Sequence, residues 1–162
     1  MSKNVRFMTQ AAAVAAVYVV LTLLFAPISF GQSGIECRIS EALTILPMFT
    51  GAAVPGLFVG CVLANIFGGG IIWDIVFGSL ATLAAAYVCR LLRHNRWLAP
   101  AAAVIANAIV VPLVLRYGYG VNMSLPLLML SIGVGEAISA YGLGQILISV
   151  LMKYRRQIFR TE

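Results

Sequence analysis

The sequence predicts an all-α membrane protein, a compact bundle of six transmembrane helices forming a single integral membrane domain over residues 1–162, with both termini cytoplasmic. Three observations predict it. Hydrophobic residues make up 62% of the 162 and charged residues 10%, at a mean hydropathy of +1.00, outside the range of soluble globular domains. At about 20 residues per helical span, the apolar runs allow about six crossings with short connections and leave no room for a soluble domain. The basic residues gather at the ends of those runs, mostly on one side.

Lys3 and Arg6 precede an apolar run that reaches Pro27. The run is longer than a signal-peptide core and lacks a convincing small-residue cleavage site, so a retained first span over about 5–27 is expected. Residues 28–37 form a glycine-containing loop, long for so compact a chain and of the kind that covers sites. Helices are expected over about 38–49 and about 55–67, each covering only about 18–20 Å of a hydrocarbon core of roughly 30 Å. Short spans interrupted by Pro and Gly point to binding regions in transport proteins. After the Gly68-Gly69-Gly70 turn, spans are expected over about 71–92, 97–116 and 125–152. A cytoplasmic N-terminus places Lys3, Arg6, Arg90, Arg93, Arg96, Lys153, Arg155, Arg156 and Arg160 inside, leaving Arg38 and Arg116 outside.

The chemistry must come from the few polar groups that enter the bilayer. The run from Arg38 to Pro47 carries a cation and an acid three residues apart, so Arg38 and Glu41 can share a helical face and pair, or be satisfied together by a polar group from outside. Alternatively Arg38 snorkels to the headgroups and Glu41 merely pairs with it. Asp74, beside Trp73, suits either a cap of the fourth span or a ligand contact. Glu136 lies about eleven residues into the sixth span, near the midplane, where an unpartnered carboxylate is costly. The small residues around it, including Gly133, Gly135 and Ala140, turn it toward protein, as a ligand contact or a structural hydrogen bond. Asn65 and Asn107 can each lock helices together. As a set, Glu41, Asn65, Asp74, Asn107 and Glu136 come from five helices, and a polar pocket open to the outside explains them jointly. On the first helix, Ala11 with Ala15 and Ala12 with Ala16 form overlapping small-residue pairs; spacing alone favours internal packing over a partner contact.

Other patterns exclude functions. Cys37, Cys61 and Cys89 are scattered singly and the one histidine, His94, sits in a basic loop, so neither a metal site nor a catalytic triad is expected. The only lysines, Lys3 and Lys153, belong to no P-loop, so this chain has no cofactor and does not itself use ATP. The formal charge of +6 reflects topology rather than nucleic-acid binding, because no basic patch with interleaved aromatics exists.

Several runs then carry a resemblance. The alanine-rich first helix is followed by Arg38-Ile39-Ser40-Glu41-Ala42-Leu43-Thr44, by Pro55-Gly56-Leu57-Phe58-Val59-Gly60 and by Leu63-Ala64-Asn65. Phe77-Gly78-Ser79-Leu80-Ala81-Thr82 and Gly135-Glu136-Ala137 complete the order. Across almost the whole chain this resembles the queuosine-precursor transporter (QueT) family, substrate-binding S components of energy-coupling-factor transporters. The resemblance implies a multi-pass subunit of the bacterial plasma membrane that docks on a transmembrane T component and two cytoplasmic ATPases, with ATP used by the latter. It implies a deazapurine ligand, queuine or its aminomethyl-deazaguanine precursor, and that the Ala11, Ala12, Ala15 and Ala16 surface contacts the T component. For such a ligand, Glu136 and Glu41 are candidates to accept from the guanine-like edge and from the ammonium, in either assignment. Asn65 and Asn107 would contact the carbonyl and ring nitrogens; Trp73, Phe30 or Tyr117 would stack on the base, with Asp74 as the reserve acid and Arg38 also among the substrate-binding candidates. The 28–37 loop would close over the ligand. Rival readings are an S component for thiamine, riboflavin, niacin or biotin, an ion-coupled transporter using Glu41, Asp74 and Glu136 as a relay, and an intramembrane enzyme, which lacks a nucleophile and base.

Overall fold

The computed structural model describes residues 2–26 and 38–158, with side chains as far as 153. The 28–37 loop, with Phe30 and Cys37, lies outside the described residues. Six helical segments follow one another, and no strand occurs among the described residues. We label them α1 (Lys3–Leu24), α2 (Ile39–Met48), α3 (Ala53–Phe67), α4 (Asp74–Leu91), α5 (Ala101–Gly118) and α6 (Leu125–Lys153, whose last helical stretch continues to Ile158). Helices α1, α4, α5 and α6 are long and apolar enough to cross a membrane, while α2 and α3 are shorter apolar helices.

Polar bonds set the direction of each segment. Thr22, late in α1, lies 2.7 Å from the Ser40 hydroxyl at the start of α2, and Thr50, just past α2, donates to Gln10 Oε1 in early α1 at 3.1 Å. These two helices are therefore antiparallel. Asn65 at the end of α3 bonds the Asp74 backbone at the start of α4, and Arg90 near the end of α4 donates to the Pro47 carbonyl at 3.0 Å. Tyr119, just past α5, returns to Ile71, and Gln145 within α6 reaches the Arg96 carbonyl at 2.8 Å. The result is an up-and-down bundle with an Asp74 end and an Arg90 end.

Local sequence explains the helix limits. The Ser2 hydroxyl caps α1 by accepting from the Val5 amide, and Pro126 opens α6 where its missing N–H is not needed. Asn95 Oδ1 accepts from the amides of Trp97 and Leu98, turning residues 97–100. For that reason α5 begins at Ala101, four residues later than the apolar run suggests, and runs on to Gly118. Gly69, in the turn after α3, has φ +75°, which only glycine adopts without strain.

Helix α2 departs most from expectation. Its position agrees with the sequence, but it is a 3-10 helix of 10 residues rather than an α-helix. Pro47 supplies no amide donor, and the Thr44 hydroxyl takes the Glu41 carbonyl at 2.5 Å. The 3-10 form stretches α2 to about 20 Å, against about 15 Å as an α-helix. Ser40, Glu41, Ala42, Leu43, Thr44, Ile45 and Pro47 are all buried, so this segment, with a carboxylate on it, occupies the middle of the bundle. Three π-helical segments lie in the long helices, at Asp74–Gly78, Val114–Gly118 and Ile138–Leu143.

Helices α1 and α3 meet at a small-residue seam. A Cβ on Gly56 would stand 2.6 Å from the Ala11 carbonyl oxygen, and one on Gly60 would stand 3.1 Å from the Ala15 Cα. Backbones approach this closely only where side chains are missing. The two alanine frames are thereby separated. Ala15 is buried and Ala11 partly buried on the α3 side, while Ala12 and Ala16 are exposed, so the two frames that spacing leaves open divide into an inner pair and an outer pair. Replacing Gly60 by Leu is expected to cost about 1–3 kcal/mol through overpacking, read as a lower thermal midpoint in detergent, while Leu at Ala12 or Ala16 leaves that midpoint unchanged.

Candidate functional site

The five polar residues expected to converge are all buried. Relative exposures are 0% for Glu41 and Asn65, 4% for Asp74, and 3% for Asn107 and Glu136. They come from α2 to α6, and four of them form two groups, Glu41 with Asn107 and Asp74 with Asn65.

The first group surrounds Glu41. The Tyr18 hydroxyl, itself fully buried on α1, donates to Glu41 Oε1 at 2.5 Å. The Asn107 side chain of α5 stands beside the same carboxylate, and Arg38 acts on it electrostatically from farther off. Glu41 Oε2 is buried and has no hydrogen-bond partner. Behind this group, Thr22 Oγ1 bonds both the Tyr18 carbonyl at 2.9 Å and the Ser40 hydroxyl at 2.7 Å, tying α1 to the residue preceding Glu41.

The second group centres on Asp74. Arg38 Nη2 lies 3.4 Å from Oδ2 and 3.5 Å from Oδ1 of Asp74, with both residues 4% exposed. Arg38 thus pairs with Asp74 on α4 and also acts electrostatically on Glu41. Arg38 is the extended N-cap of α2 (φ −84°, ψ 101°), so its side chain leaves the helical row that carries Glu41 and crosses to α4. Tyr119 donates to Asp74 Oδ2 at 3.4 Å and accepts from the Ile71 amide at 3.2 Å. Asn65 Nδ2 donates to the Asp74 carbonyl at 3.2 Å, leaving Asn65 Oδ1 buried without a partner. The π-helical turn brings Gly78 against these side chains: a Cβ there would stand 3.0 Å from Asp74 Oδ1 and 3.5 Å from Asn65 Nδ2. The two groups join at Arg38, whose carbonyl accepts from Ser139 on α6 at 2.7 Å, one turn beyond Glu136.

Two expected stacking residues stand elsewhere. Trp73 is 56% and Tyr117 76% exposed, and both line a surface groove of about 390 Å³ with Phe77, Val110, Leu113, Val114 and Gly118. This groove is apolar and contains none of the buried acids or amides. Trp73 instead stacks on Phe77, with ring centroids 5.7 Å apart. The residues missed by sequence reasoning are Tyr18, Tyr119, Thr22 and Ser139. A signal existed for two of them, because Tyr18 and Thr22 extend the Ala11, Ala15 face at helical spacing. Tyr119 and Ser139 carry no such signal, since their partners are far away in the chain. Among the described residues no three His, Cys, Asp or Glu side chains gather to hold a metal ion. His94 is exposed, as its basic loop suggests.

The family profile described as QueT transporter matches residues 8–153. The chain belongs to the QueT transporter family. That bears out the resemblance carried by the sequence, and it is a family of transporters, not of enzymes. With four helices able to cross a membrane, this member of the QueT transporter family is a multi-pass membrane protein. No curated protein and no solved structure matches the chain.

The buried Arg38–Asp74 pair gives a direct test of the second group. Breaking a buried pair by removing one partner typically costs about 3–5 kcal/mol. Asp74→Asn is therefore expected to lower the thermal midpoint in detergent well beyond the effect of Asn at an exposed position such as His94.

Proposed function

We propose that this chain is the substrate-binding S component of an energy-coupling-factor transporter in the bacterial plasma membrane, importing a queuosine precursor, queuine or aminomethyl-deazaguanine. The observation that carries this reading is Glu41: a fully buried carboxylate with Oε1 held by Tyr18, Oε2 without a partner, and the Asn107 amide alongside. A carboxylate oxygen kept out of water calls for a donor, and a guanine-like edge brings two adjacent N–H groups. Asn107 offers both a donor and an acceptor to the rest of the ring, and Asn65 Oδ1 a further acceptor. Glu136, buried on α6, is the second acid for the ammonium of the aminomethyl precursor.

The helix directions support a cytoplasmic location for both termini. Lys3, Arg6, Arg90, Arg93, Arg96 and Lys153 fall toward the Arg90 end, and Arg38 and Arg116 toward the other, as the positive-inside rule requires for a site near the outer face. Energy would come from a T component and two ATPases, with the T component docking on the exposed Ala12, Ala16 frame, because the Ala11, Ala15 frame packs against α3. The ion-relay alternative needs Asp74 as a mobile proton carrier, whereas Asp74 is engaged by Arg38, Tyr119 and the Asn65 contact to its backbone.

Calorimetric titration of the purified protein with queuine, aminomethyl-deazaguanine, guanine, thiamine and riboflavin tests the reading. Deazapurine binding is expected, with thiamine and riboflavin silent. Glu41→Gln is expected to weaken queuine about 10- to 100-fold, the range for a lost charge-assisted hydrogen bond. Glu136→Gln should weaken aminomethyl-deazaguanine more than guanine. Thiamine or riboflavin binding alone would reassign the substrate, and flux driven by a pH gradient without any ATPase would favour the ion-coupled transporter. Leu at both Ala12 and Ala16 is expected to spare queuine binding but to reduce ATP-dependent uptake into vesicles containing the T component and ATPases.

A further inference from the structure

Tyr18 occupies a place that no sequence motif assigns. It shares one buried hydrophobic cluster with Leu43, Leu57, Cys61, Ala64 and Ala86, and a Cβ on Gly60 would lie 3.0 Å from its Cβ. The phenol is therefore fixed by packing, and its one polar atom is directed at Glu41 Oε1. Glu41 has no such restraint of its own, because its carboxylate sits at the end of a side chain with three rotatable bonds. Arg38, close enough to act on Glu41, is the competing attraction, and its guanidinium is engaged with Asp74. A carboxylate drawn toward Arg38 would join that pair and withdraw from Asn107.

We infer that Tyr18 is a positioning residue of the ligand site: its hydroxyl holds Glu41 Oε1 away from the Arg38–Asp74 pair, so that Oε2 faces an incoming N–H donor beside Asn107. The inference rests on the reading of Glu41 as a ligand contact. Its physical content is preorganisation, since a carboxylate oriented before binding loses less freedom on meeting its ligand. The Thr22 link to Ser40 works in the same direction by holding the α2 backbone adjacent to Glu41 against α1.

The test is a double-mutant cycle on queuine affinity with wild type, Tyr18→Phe, Glu41→Gln and the double variant, each checked for its ligand-free thermal midpoint. Tyr18→Phe keeps the ring and its packing and removes only the hydroxyl. It is expected to weaken queuine about tenfold in the presence of Glu41 and less than threefold in the Glu41→Gln background, because Tyr18 acts through the carboxylate. Equal losses in both backgrounds, or no loss with Glu41 present, would overturn the inference. If Glu41→Gln leaves queuine binding unchanged, the reading of the site itself fails. Should Tyr18→Phe not fold, or Glu41→Gln bind too weakly to titrate, 3-fluorotyrosine placed at position 18 in the otherwise unaltered chain keeps the packing and strengthens the phenol as a donor. A shift in queuine affinity of about threefold or more then supports positioning, and an unchanged affinity overturns it.

Discussion

The structure depends on carrying an acid through an apolar interior. Glu41 has no exposed surface, and the residues around it on α2 are buried on every side. A charged or polar group so placed is tolerated only where its hydrogen bonds are supplied by neighbours or by a ligand. Much of the polar content of the bundle answers that requirement: Tyr18 bonds the carboxylate, Thr22 bonds the preceding serine, and Asn107 stands beside the carboxylate. An apolar residue at position 41 would remove the acceptor that Tyr18 and Asn107 meet.

Close helix packing makes this arrangement reachable. Gly56 and Gly60 let α3 approach α1 until backbone meets backbone, and that approach clamps Tyr18 against α2. Gly78 does the corresponding work at the other group by leaving space for the Asp74 and Asn65 side chains within a π-helical turn. Non-α backbone thus coincides with site residues at two points, the 3-10 helix bearing Glu41 and the π segment bearing Asp74. Such departures re-aim side chains that a regular α-helix would direct elsewhere.

The same seam distinguishes two faces of α1. One face, through Ala11, Ala15, Tyr18 and Thr22, is committed to the interior, while Met8, Ala12, Ala16 and Val20 remain at the surface. A single helix therefore reaches Glu41 and Ser40 with one side and offers an exposed surface with the other. In a rigidly packed bundle, changes at the first side are carried to the second through few intervening atoms.

Composition and spacing by themselves determined the membrane class and the helical segments with their approximate limits, and singled out Glu41, Asn65, Asp74, Asn107 and Glu136 as the polar set; the ordered runs of residues carried the family resemblance. These are legible because hydrophobic length and a rare polar residue within it are local properties of a chain. Only the tertiary structure decided which polar groups meet. Arg38 pairs with Asp74 on another helix, because the N-cap of α2 is extended. Trp73 and Tyr117 turn to the surface groove while Tyr119 turns inward, a difference of two residues that no periodicity announces. The alanine frames separate only when the glycines of α3 select one of them. In each case the deciding contact lies between segments distant in sequence, and which of two neighbouring residues makes it depends on helix rotation and backbone form, quantities that packing sets.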